Sequence, residues 1–122
     1  MRYVMASLVL LLSACSGAAP TVEEVTIVNE TAYDVEVEAG AGAGAGEDDG
    51  WLPLARVDAR STGSARDVID QGDVWVFRFR HWGESVEEMS LTREELEREG
   101  WRIEVPETVA ERLEQLGRPP AP

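Results

Sequence analysis

Few side chains in this sequence are suited to chemistry, and their types and spacing narrow the choice quickly. There is one cysteine, Cys15, and one histidine, His81, and all eleven basic residues are arginine. Without lysine there is no Schiff-base amine and no lysine general base. One imidazole and one thiol are too few for the usual zinc ligand sets, so no metal is expected. No Ser-His-Asp order and no nucleophile elbow is visible. Carboxylates are plentiful, with 24 Asp and Glu, and a carboxylate pair is the one catalytic device this inventory permits. No pair stands out, and a small domain rarely forms the deep cleft that such a pair needs. The expectation is a chain that is not an enzyme and carries no cofactor.

Two segments have the look of ligand sites. In VWVFRFRHW (Val74 to Trp82), Arg78 and Arg80 alternate with aromatic residues. Such alternation can stack nucleobases, but a net charge of −13 repels phosphates and argues against a nucleic-acid partner. Pairing of the two arginines with acids on neighbouring strands is the plain expectation, and a short anionic-ligand site around them is the alternative. The other segment is Glu47, Asp48 and Asp49, which follow the run AGAGAGAG (Ala39 to Gly46). Calcium needs six to eight oxygens at fixed offsets, and that spacing is absent here. Nor does the glycine-rich run carry the lysine and helix start of a phosphate cradle; it reads as a flexible loop. His81, at a strand end, is expected to be structural or exposed.

The elements that hold these residues begin with an apolar leader. Arg2 gives a short positive start, and Tyr3 to Leu12 (YVMASLVLLL) is shorter than the ~20 residues that cross a bilayer. Leu12-Ser13-Ala14-Cys15 then resembles the lipobox of bacterial lipoproteins. The resemblance implies cleavage between Ala14 and Cys15 and a diacylglyceryl group on the Cys15 sulfur. It also implies a membrane-anchored protein on the extracytoplasmic face, with the membrane as first partner and an envelope protein as a second. Two acyl chains make such attachment persistent where one does not. The thioether uses the only thiol, so no disulfide staples the domain. With its arginine-only basic set, the chain is similar to the small lipoproteins of high-GC bacteria.

The expected organisation is a signal peptide over 1–14, an acylated tether over 15–24, a folded domain over 25–117 and a disordered tail over 118–122. Period-two patterning predicts a hairpin from Val25–Ile27 and Val35–Ala39, and an edge strand around Pro53. A turn is expected at Ser61-Thr62-Gly63. The strongest strand, Val74 to Trp82, turns Trp75, Phe77 and Phe79 toward the core. Thr92 and Glu95 form a capping box for a brief helix closed by Gly100, and Leu91 and Leu96 form its staple. A last strand holds Trp101, Ile103 and Val105. Thr108 and Glu111 suggest a second capped helix, with Val109, Leu113 and Leu116 on one face. Together these predict a mainly β fold: a small antiparallel β-sandwich, immunoglobulin-like, with two short helices near the C-terminus. The functional expectation is an interaction or envelope-accessory module; the alternative is a lipoprotein that binds a small ligand or cation at the acidic loop or at Arg78 and Arg80.

Overall fold

The computed structural model describes residues 20–42 and 50–122. The apolar run read as a leader, Ala14, Cys15, residues Ala43 to Gly46 of the glycine-rich run and the Glu47–Asp49 acids lie outside them. Strands β1 (Thr21–Asn29), β2 (Val35–Ala41), β3 (Leu52–Val57), β4 (Ser61–Ile69), β5 (Val74–His81) and β6 (Glu84–Thr92) come first. Helix α1 (Arg93–Arg98), strand β7 (Arg102–Glu104) and helix α2 (Glu107–Gln115) follow.

The strands form two sheets, in the orders β4-β1-β7 and β3-β2-β5-β6. By position, β1 to β6 correspond to strands B, C, C′, E, F and G of the immunoglobulin-type sandwich. Strand β7 takes the place of strand A beside β1, but it arrives from the C-terminal side and runs parallel to β1. All other pairings are antiparallel. The sandwich is therefore antiparallel except at this one edge.

The core follows from β5. Trp75, Phe77 and Phe79 alternate with outward residues and are fully buried, as their period predicts. Trp75 stacks on Phe77 with ring centroids 5.9 Å apart, and Trp101 meets Trp75 edge-on at 5.2 Å. Val25, Ile27, Val35, Val37 and Ile103 complete the same cluster. Pro53, which cannot donate to a ladder, lies on edge strand β3 opposite Glu38, beside a register shift between Val37 and Glu38.

Both helices pack on β6 and so cover the side where β6 and β7 end their sheets. Helix α1 has the expected capping box: the Glu95 amide donates to Thr92 Oγ1 at 3.1 Å, and the Thr92 amide donates to Glu95 Oε1 at 3.0 Å. At its other end Gly100 has φ +66°. There the Trp101 amide reaches the Leu96 carbonyl at 2.8 Å and the Gly100 amide the Glu97 carbonyl at 3.1 Å, a Schellman closure.

Several expectations are corrected. β1 starts at Thr21, inside the stretch read as tether, and the Asp70 amide donates to the Pro20 carbonyl at 2.9 Å. β1 and β2 do not form a hairpin but belong to different sheets. The reason is Asn29, 1% exposed at the end of β1. Its Nδ2 donates to the carbonyls of Tyr33, Val57 and Asp58 at 2.8, 3.3 and 3.1 Å. Its Oδ1 accepts from the amide and hydroxyl of Thr31 at 3.0 and 2.7 Å. This knot bends the chain from one sheet to the other and ties it to the β3–β4 connection.

Ala39 to Ala41 extend β2 rather than open a loop. The Gly42 amide continues the pairing to the Val74 carbonyl at 2.9 Å, where an added Cβ would lie 3.0 Å from the Val74 side chain. Ser61 to Gly63 belong to β4, and Gly63 makes room for Val57, 3.0 Å from where its Cβ would be. Helix α2 starts after Pro106 with no side-chain cap, so the Thr108–Glu111 box does not form; Val109 and Leu113 are buried but Leu116 is exposed. Residues 118–122 are not a free tail. The Tyr33 hydroxyl donates to the Arg118 carbonyl at 3.2 Å, and the Ala121 amide donates to the Ala32 carbonyl at 2.8 Å.

Candidate functional site

The strand directions give the molecule two unlike ends. Pro20, the β4–β5 turn, the end of β2 and the start of α1 share the entry end, where Thr21 pairs with Ile69, Ala41 with Trp75 and Val74 with Thr92. The far end holds Asn29, the β3–β4 connection and the β5–β6 turn, where Asn29 pairs with Ser61, Val28 with Glu104 and His81 with Glu84.

Arg78 and Arg80 do come together, on the outward face of β5. Both meet Glu38 of β2: Arg78 Nε donates to Glu38 Oε1 at 2.7 Å, and Arg80 Nη1 to Oε2 at 3.5 Å. The Arg78 guanidinium also lies over the Trp51 ring, 4.3 Å from its centroid. A second Arg80 nitrogen donates to the Gly83 carbonyl. The pair is thus held by an acid on the neighbouring strand, and Trp51 covers much of what Arg78 would offer a ligand.

His81 is 4% exposed. Its Nδ1 lies 2.8 Å from the Asp34 carbonyl, which can only accept, so Nδ1 carries the proton. Tyr33 meets its ring edge-on at 5.8 Å. The imidazole therefore ties β5 to the start of β2.

Next to it, Trp82 and Gly83 make a two-residue turn with φ +51° and +80°. This is the left-handed pattern that favours Asn or Asp followed by Gly. Trp82 occupies the first position at 76% exposure. Nothing in the fold requires an indole there.

Sequence patterning misses a concavity at the far end. A groove of about 530 Å³ lies where β1, β6, β7 and α2 meet. Val28, Met89, Val105 and Ala110 supply its apolar wall. Glu30, Glu104 and Glu107 line it as exposed acids, and no arginine lines it. Among the described residues none of these three glutamates has a salt-bridge partner. A hollow of similar size at the entry end differs, because Arg93 lines it along with Glu23, Glu24 and Glu97. Arg93 there pairs with Asp70. The groove residues are scattered from Val28 to Ala110, so no local motif announces them.

Comparison with protein-family models, with curated proteins and with solved structures finds no match for this chain.

Proposed function

We propose that this protein is a lipid-anchored extracytoplasmic lipoprotein whose β-sandwich acts as an interaction module. The observation that carries the reading is the join between leader and domain. Leu12-Ser13-Ala14-Cys15 has the lipobox pattern, and Pro20 and Thr21 are already paired with Asp70 and Ile69 of the domain. Only Ser16 to Ala19 intervene, a reach of roughly 15–20 Å at full extension. A domain joined so closely keeps its entry end toward the bilayer and offers its far end to the surroundings. Its core of packed aromatic and β-branched residues gives it a stability source that needs no disulfide, in keeping with a cysteine committed to lipid.

The reading is tested by intact-mass analysis of the protein from detergent-solubilised membranes, with palmitate labelling. The expected product lacks residues 1–14 and carries a diacylglyceryl group on Cys15. The Cys15→Ala variant should take up no label. An unmodified Cys15, or a mature N-terminus elsewhere, overturns the proposal.

A further inference from the structure

We propose that the groove between β1, β6, β7 and α2 is a docking site for a basic amphipathic segment of a protein partner. The inference rests on the interaction-module reading and names the surface and the chemistry of what fills it. Its wall and its rim ask for different things. Val28 and Val105 are each 7% exposed, and Met89 and Ala110 are half-buried, so the wall is apolar and already packed from behind. An apolar side chain laid on it removes further surface from water. Glu30, Glu104 and Glu107 stand exposed around that wall, with no cation among the lining residues.

Helix α2 begins at the groove, and its first-turn amides carry a partial positive charge of about half a unit. Three full negative charges outweigh it, and Glu107 in that first turn offsets it directly. The field in the groove is therefore negative. An anionic ligand is repelled, a neutral apolar one leaves the acids without counter-charges, and a lysine- or arginine-bearing segment with an apolar face satisfies both. The position agrees, because the groove opens at the end remote from Pro20 and the chain's entry. Elsewhere Glu38 holds Arg78 and Arg80. The entry-end hollow also carries three glutamates, Glu23, Glu24 and Glu97, without a salt-bridge partner among the described residues, but Arg93 lines it and puts a cation where the groove has none. A second copy of this chain is a poor occupant, because each copy has a net charge of −13.

The test measures fluorescence anisotropy of a short fluorescein-labelled peptide of alternating lysine and leucine, titrated with the full chain in a non-ionic detergent. Binding to the unaltered protein is expected, weakening as sodium chloride rises. The combined variant Glu30→Gln, Glu104→Gln, Glu107→Gln should bind at least about tenfold more weakly. A matched control, Glu23→Gln, Glu24→Gln, Glu97→Gln, removes the same charge from the entry end and should bind within about twofold of the unaltered chain. Ala110→Trp fills the groove with its acids intact and should abolish binding, with a thermal melt showing that it still folds. If it does not fold, the two glutamine variants decide.

Equal weakening by both glutamine variants reduces the effect to net charge and overturns the proposal. So does undiminished binding by a folded Ala110→Trp, or an unaltered chain that ignores the peptide. A concentration-dependent dimer that only the groove variant loses would assign the surface to a second copy instead, and also overturns it. Lipid attachment is read separately. A Cys15→Ala chain that takes up no label yet binds the peptide keeps both ideas, whereas a lipidated chain that ignores it sinks this one alone.

Discussion

Asn29 shows how much one polar side chain decides. A buried amide that donates to three carbonyls and accepts from Thr31 uses both ends of its asymmetric head. Asn29→Ala leaves those carbonyls and the Thr31 donors short of partners inside the fold, and the expected loss is about 3 kcal/mol in urea denaturation. Asn29→Asp is the sharper experiment. It keeps shape and size but points a carboxylate oxygen, in place of donor hydrogens, at the three carbonyls. It should destabilise at least as much as alanine at neutral pH and recover partly in acid, where the carboxyl gains a proton. An aspartate variant as stable as the parent would mean that volume, not hydrogen bonding, holds the crossing between the sheets. Trp82 is the opposite case, since its backbone conformation and its exposure both oppose an indole. Among the described residues the one ring it meets is that of His81, at 5.9 Å.

At the scale of elements, α1 supplies a prediction with a sign. Its six residues are too few to be stable alone, so its capping box and the packing of Leu96 hold it. Hydrogen bonds from the Thr92 amide and then the Thr92 hydroxyl hold the Glu95 carboxyl below its ordinary pKa. A group lowered in the folded state stabilises the fold above its unfolded value, about 4.3 for glutamate. That contribution disappears as the pH falls through the lowered folded value. A carbon-detected NMR titration of Glu95 should give a midpoint below the ordinary glutamate value. Thr92→Ala removes the hydroxyl donor and keeps the amide, so it should raise that midpoint part of the way toward the ordinary value and cost about 1 kcal/mol. This helix was legible because its capping box and closing glycine are local signals. So was β5, where Trp75, Phe77 and Phe79 gather on one face and the two arginines fall on the other, which picks the inward face. The failures share a cause. Asn29 ends β1 through partners at the end of β3 and on the β3–β4 connection, so the residues next to it in sequence say nothing of which sheet comes next. Gly42 and Gly63 look like loop and turn residues, yet they serve close approach to Val74 and Val57, Gly42 just past the end of β2 and Gly63 within β4. The groove, assembled from four elements, left no local trace at all.

For the whole molecule, the balance of charge predicts an uncommon response to salt. Exposed ion pairs such as Arg98–Glu94 and Arg56–Asp34, at 3.2 and 3.5 Å, contribute little in water and lose that little on screening. Arg78 and Glu38, with side chains 14% and 15% exposed, are shielded from added ions by their burial. Against these stand 24 acids and eleven arginines, an excess that opposes compaction through mutual repulsion. Salt at 0.1 M shortens the reach of such repulsion to about 10 Å, which relieves the folded state more than the expanded chain. The urea midpoint should therefore rise between low salt and 0.5 M sodium chloride; urea is required because guanidinium is itself a salt. The groove variant Glu30→Gln, Glu104→Gln, Glu107→Gln removes three charges that have no salt-bridge partner among the described residues. It should start with a higher midpoint than the parent and gain less from salt. A midpoint that falls with salt would mean that the ion pairs outweigh the excess. A groove variant less stable than its parent would mean that those glutamates serve the fold rather than a partner. The same three side chains thus connect stability to binding: an acidic rim that the isolated domain would fold better without is consistent with selection for something that docks there.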